Sequence, residues 1–165
     1  MKKVSIIEFF SLLILSCSTS DKINNTIDTY KQKGIIMNDT IPKVTGIGGI
    51  FFFSDNPKET KEWYAKNLGF EINEWGAVSF DTRNINRPEE INTLQWSLFK
   101  NGNKYFSPSK KDFMINYTVQ NIEGLVNKLK ENGVTILDSI ATYDFGKFVH
   151  IMDAEGNKIE LWEPK

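Results

Sequence analysis

The 165-residue sequence predicts one α+β domain of two strand-helix-three-strand modules, and three observations carry that expectation. A strand followed by a capped helix occurs twice. The helix-to-strand junctions Leu68-Gly69-Phe70-Glu71-Ile72 and Asn132-Gly133-Val134-Thr135-Ile136 share one pattern 64 residues apart, which marks an internal repeat. At 40% hydrophobic and 13% aromatic residues, the chain can bury one ordinary core but hardly two.

The elements follow in order. IGGIFFF (47–53) is an apolar strand. A helix opens behind it with Asn56 as N-cap, Pro57 at its first position and Glu59 three residues after the cap, and Gly69 ends it. Strands are expected at Phe70 to Trp75, Ala77 to Arg83 and Thr93 to Lys100, the last two separated by the polar run NINRPEEIN. FMINYTV (113–119) alternates as a strand and opens the second module. Asn121 caps a helix in which Ile122, Leu125, Val126 and Leu129 recur at helical spacing until Gly133. Strands at Val134 to Thr142, Phe145 to Met152 and Lys158 to Trp162 complete it. The domain spans 44–165, with modules of about 44–107 and 112–165.

Ahead of the domain, MKKVSIIEFFSLLILS pairs two lysines with an apolar stretch and a small residue, which reads as a targeting segment over 1–16. Ile14-Leu15-Ser16-Cys17 resembles the lipobox of bacterial lipoproteins, where the cysteine sulfur receives lipid. Cys17 is the sole cysteine, so no disulfide is expected. This implies lipid anchoring in the bacterial cell envelope, although Glu8 interrupts the apolar run, and an ordinary signal, a short membrane anchor or a start at Met37 are the alternatives. Residues 17–43 are rich in Ser, Thr, Asn, Asp and Lys without sustained periodicity and read as a flexible tether.

Twenty basic residues against 21 acidic ones give a net charge of -1, and the lysines are scattered among acids. That balance disfavours a nucleic-acid partner. There is no Gly-rich phosphate loop and no cysteine pair. Ser97 or Ser107 with His150 and Asp153 would supply the residue types of a nucleophilic triad, but their spacing gives no support to one.

The segment MDAEGNKIELWEP resembles the closing hairpin of the vicinal oxygen chelate superfamily, an Asp-Pro-x-Gly-Asn turn followed by Ile-Glu-Leu, with Ala154 in place of the usual proline. FFFSDNPKETKEWYAKNLGF is similar to that superfamily's first strand and helix. Glyoxalase I, extradiol dioxygenases and the fosfomycin and bleomycin resistance proteins belong to it. The resemblance implies an open, curved, barrel-like sheet around a central cavity, with a homodimer as the expected assembly.

Strand parity then sorts the cavity lining. Glu160 points inward between Ile159 and Leu161, and Gln95 occupies a similar place between Leu94 and Trp96. Met114, Asn116 and Thr118 line the second module, while Gly48, Ile50 and Phe52 face in from the first strand and leave Ile47, Phe51 and Phe53 outward. Phe52 and Trp75 are candidate ligand-contacting walls. Tyr105 and Phe106, in the loop joining the modules, are either ligand contacts or packing.

The resemblance implies metal-ligand places at Gly48, Gln95, Met114 and Glu160. Glycine offers no side chain, and a thioether suits these ions poorly. His150, the only histidine, falls opposite Glu160 if Asp153 to Asn157 closes a five-residue hairpin, with Cβ atoms about 5 Å apart. Three readings stay open for it: metal ligand with Glu160 and Gln95, polar pocket wall, or simple packing.

The leading functional expectation is therefore a small-molecule binder of the cell envelope with no cofactor and an incomplete metal site. A lyase, isomerase, dioxygenase or resistance transferase using a divalent metal on Glu160, and an interaction module with a vestigial cavity, are the alternatives.

Overall fold

The computed structural model describes residues 40–85 and 87–165. The expected signal segment, Cys17 and the tether up to Asp39 lie outside them. The described domain runs β1 (Lys43–Ser54), α1 (Pro57–Leu68), β2 (Ala77–Arg83), β3 (Ile91–Lys100), β4 (Phe113–Gln120), α2 (Ile122–Glu131), β5 (Thr135–Ile136), β6 (Ala141–Tyr143), β7 (Gly146–Met152) and β8 (Lys158–Pro164). Its eight strands form one mixed sheet in the order β2-β3-β1-β4-β8-β7-β5, with β6 also paired to β7. This is an α+β fold with two helices and a curved, open sheet.

Local chemistry explains the helices. The Asn56 side chain accepts from the Glu59 backbone N–H, Pro57 opens α1, and Gly69 closes it in the left-handed conformation at φ 71°. Asn121 caps α2 by accepting from the Gly124 N–H at 3.0 Å. Ile122, Leu125 and Val126 of α2 are buried against Val149, Ile151 and Leu161, forming the larger core. The smaller core is Val78, Trp96 and Leu98, on which Tyr64, Phe70, Ile72 and Phe52 pack. Trp63 of α1 is 55% exposed and touches Tyr64 edge-on.

Of two expected strands, Phe70 to Trp75 does not form and Val134 to Thr142 is split. Phe70 and Ile72 pack the small core, but the segment then turns, because Asn73 Oδ1 accepts from the backbone N–H groups of Trp75 and Ala77, both at 3.0 Å. Those donors are thereby withdrawn from any ladder. Trp75 ends up 83% exposed at the turn. The stretch from Val134 to Thr142 splits into β5 and β6 because Asp138 Oδ1, in place of a backbone carbonyl, accepts from the His150 N–H at 2.8 Å.

The larger departure is in β1. Its pairing with β4 shifts register between Ile47 and Gly49, so Gly48 and Gly49 together oppose Asn116 as a β-bulge. Beyond the bulge the parity is inverted. Phe51 and Phe53 lie on the concave face, where Phe53 stacks on Phe106 at 4.2 Å and Phe51 meets Phe99 edge-on at 5.9 Å. Ile50 and Phe52 turn to the helix side, and Phe52 packs edge-on against Trp96 at 5.7 Å. Phe52 is therefore core, not cavity wall.

Glycine at 48 is a steric requirement. A Cβ there would stand 2.2 Å from Asn116 Oδ1 and 2.9 Å from Trp162 Cε3. Gly48→Ala is expected to destabilise the domain by about 1–3 kcal/mol, the range for overpacking a tight site. A urea denaturation midpoint unchanged from the parent would show that the bulge has room to give.

Candidate functional site

The sheet register gathers one row of side chains on the concave face. Ser79 pairs with Gln95, Gln95 with Gly49, Gly49 with Asn116, Asn116 with Glu160, and Glu160 with His150. Partners across a ladder share a face, so these six residues line one track over six strands. The closing hairpin produces its last step: Asp153 Oδ1 accepts from the N–H groups of Glu155 and Asn157, and Met152 pairs with Lys158. His150 consequently falls opposite Glu160.

Glu160 is the centre of the site. It is only 4% exposed, and three donors converge on its carboxylate. Asn116 Nδ2 donates to Oε1 at 2.7 Å, while His150 Nε2 at 2.9 Å and the Tyr105 hydroxyl both meet Oε2. The other imidazole nitrogen, Nδ1, lies 2.6 Å from Asp138 Oδ2. The result is a carboxylate-imidazole-carboxylate line, buried at Glu160 and exposed at Asp138, capped by a phenol.

The charges follow from those contacts. Burial alone would raise the Glu160 carboxyl, but hydrogen bonds from His150, Tyr105 and Asn116 outweigh it and hold the group below its ordinary value of 4.5. Burial would likewise lower His150. Its bonds to Glu160 and Asp138 prevail and raise it above 6.5, so the imidazolium persists to higher pH than in an ordinary histidine. Burial and the adjacent Glu160 carboxylate push the Tyr105 phenol up, leaving it a proton donor. Burial pulls the Lys158 ammonium down; its Nζ donates to the Tyr105 carbonyl at 2.6 Å.

The loop between the modules supplies the cap. A short turn, Lys104–Phe106, buries Phe106 to 1% exposure over Phe53 and Phe99, and lays the Tyr105 ring on Phe99 with planes 5° apart. Phe106 is thus packing, and Tyr105 is part of the site.

The remaining candidates separate. Asn116 joins Glu160, whereas Gln95 lies three strand steps away, about 14 Å along the sheet at about 4.8 Å per strand, with its Nε2 donating to Ser79 Oγ at 2.8 Å. Met114 is fully buried beside Phe51, and Trp75 lies away in its turn. Asp138 and Lys158 had no place in the sequence reading. The Asp-Ser pair interrupting VTILDSIATY was the available signal for Asp138, but contact with His150 depends on a bend the sequence does not announce.

These residues, as placed, do not fit a divalent ion. Asp138 and Glu160 contact opposite nitrogens of one imidazole and so cannot share a metal with it, and Gln95 is turned to Ser79. No group of three His, Cys, Asp or Glu among the described residues could hold one. One acceptor is unspent: Asn116 Oδ1 is buried without a hydrogen-bond partner, pressed toward Gly48.

A family model for the Glyoxalase/Bleomycin resistance protein/Dioxygenase superfamily matches residues 46–161. The chain belongs to this superfamily. No curated protein matches it. Among solved structures, a Streptomyces coelicolor methylmalonyl-CoA epimerase variant in complex with 2-nitronate-propionyl-CoA is 15% identical with a TM-score of 0.55, over 74% of this chain and 99% of that one. Methylmalonyl-CoA epimerase in complex with methylmalonyl-CoA and ammonium gives the same identity and score, over 74% and 96%. A superfamily member from Vibrio splendidus 12B01 is 12% identical with a TM-score of 0.48, over 73% and 99%. At these identities the likeness is one of fold.

The single histidine allows a direct test of the electrostatics. His150 is expected to titrate above 6.5 by NMR, and Glu160→Gln to lower that value, because the carboxylate favours the imidazolium. The raised histidine contributes stability fully present below its unfolded value and lost as pH rises through the folded one. The lowered glutamate contributes stability present above 4.5 and lost as pH falls through its folded value. For this pair, the urea midpoint should be highest between pH 4.5 and 6.5 and decline on both sides. An unshifted His150 in Glu160→Gln would refute the coupling.

Proposed function

We propose that this domain binds a small, partly apolar molecule on the concave face of its sheet, without a complete metal site. The observation that carries the reading is the convergence on Glu160: a buried carboxylate held by Asn116, His150 and Tyr105 from two strands and a loop. Such a group orients a ligand through hydrogen bonds while Phe51 and Phe99 supply flat apolar surface beside it. Ser97, Gln95 and Ser79 continue the same face with neutral polar groups.

Two measurements on one preparation test this. Elemental analysis is expected to give substoichiometric divalent metal, and a panel of small aromatic and aliphatic compounds is expected to contain members that raise the melting temperature of the parent but not of Glu160→Gln. Near-stoichiometric zinc, manganese, nickel or iron, lost in both Glu160→Gln and His150→Ala, would replace this reading with a metal-dependent enzyme of the superfamily.

The reading includes an anchor. The order of two lysines, apolar run, Ser16 and Cys17 supports lipidation at Cys17 and residence in the bacterial cell envelope. Cys17→Ala is expected to leave unprocessed precursor or soluble protein, since stable anchoring requires more than one acyl chain. A variant that is processed like the parent and still fractionates with membranes as fully would exclude the lipobox.

A further inference from the structure

Of the three donors to Glu160, Asn116 and His150 stand on strands, whereas Tyr105 reaches in from the loop between modules. Its ring sits in a fully formed slot. Phe99 stacks on one face at 5.2 Å between centroids, His150 meets the ring edge-on at 5.6 Å, and Lys158 Nζ lies 5.0 Å from the centroid. The hydroxyl donates to Glu160 Oε2. Each contact recognises a different property of a phenol: planarity, π-density and a neutral O–H.

The loop backbone is held independently of that ring. Phe106 is wedged under Phe53 and Phe99, Asn103 Oδ1 accepts from the Tyr105 N–H at 2.7 Å, Lys158 Nζ donates to the Tyr105 carbonyl, and Ser109 Oγ donates to the Gly156 carbonyl at 2.7 Å. Tyr105 is itself 37% exposed. Rotating its side chain toward solvent therefore leaves the loop in place and empties a slot walled by Phe99, His150 and Lys158. Glu160 keeps two donors and regains a free acceptor position on Oε2.

We propose that this slot is a binding site for para-substituted phenols, in which Tyr105, itself a para-substituted phenol, is the built-in occupant that a ligand displaces. The proposal rests on the concave-face reading above and gives its ligand a chemical class. It also states what is rejected. An aryl methyl ether has no proton for Glu160, and a benzoate brings a second negative charge to a buried carboxylate. Because Tyr105 is tethered, it competes at high effective concentration, so simple phenols bind the parent weakly.

The test is a titration of parent and Tyr105→Ala with 4-methylphenol, followed through the NMR signals of the His150 ring, whose Nε2 shares Oε2 with the phenol. Tyr105→Ala should show saturable shifts, with 4-methylanisole and 4-methylbenzoate producing none. The parent should approach the same endpoint with an apparent Kd at least tenfold weaker. Tyr105→Phe, which fills the slot without a hydroxyl, should bind no better than Tyr105→Ala.

No saturable response in folded Tyr105→Ala, or an equal response to 4-methylanisole, overturns the proposal. So does a parent that never responds while the variant binds, because Tyr105 would then not be displaceable. Should Tyr105→Ala fail to fold, Tyr105→Ser replaces it, and the parent titration stands without any variant. If 4-methylphenol fails while other compounds stabilise the parent but not Glu160→Gln, the phenol assignment falls and the concave-face reading stands. If no compound distinguishes those two proteins, both fall.

Discussion

A carboxylate taken out of water must be repaid in hydrogen bonds, and most of the concave face is arranged around meeting that requirement for Glu160. An unpaired buried charge costs several kcal/mol. Here it is met by an amide from β4, an imidazole from β7 and a phenol from the inter-module loop. The imidazole needs its own second partner, which draws Asp138 into place and interrupts the strand that would have run from Val134 to Thr142. One buried charge thus ties together a split strand, a phenol from the loop and an imidazole from the hairpin.

The second organising constraint is the Gly48-Gly49 bulge. Two small residues opposite Asn116 allow its side chain to lie close against β1, and the extra residue reverses which side of the strand faces in. As a result Phe51 and Phe53 join the concave face and support Phe99, Phe106 and Tyr105, while Ile50 and Phe52 turn to the helix side. Without the bulge, Phe51 and Phe53 would lie on the other side of the sheet and leave Phe99 and Phe106 without their partners from β1.

These two features also explain why a superfamily known for metal ligands shows here a set that does not converge. The row matching the expected ligand places runs Gln95, Gly49, Asn116 and Glu160: the bulge puts Gly49 in place of Gly48, and the β4–β8 register puts Asn116 in place of Met114. It offers one carboxylate, two amides and a bare backbone. The imidazole beside Glu160 belongs to the neighbouring strand and is oriented along the sheet by Asp138. What the row can do is hold hydrogen-bonding groups in line along an apolar floor.

The sequence alone determined the features that depend on neighbours along the chain. Asn56, Pro57 and Gly69 bound α1, Asn121 and Gly133 bracket α2, and the Asp153 to Asn157 turn, closed by its own side chains, placed His150 opposite Glu160. Each is a local rule: a cap, a turn or an alternation with period two. Tertiary structure alone decided which way Phe52 faces, that Tyr105 reaches Glu160 across 55 residues, and that Asp138 completes the histidine. Register shifts and loop placement arise from competition between distant groups for the same buried space and the same lone pairs, and a pattern read along one strand contains no term for that competition.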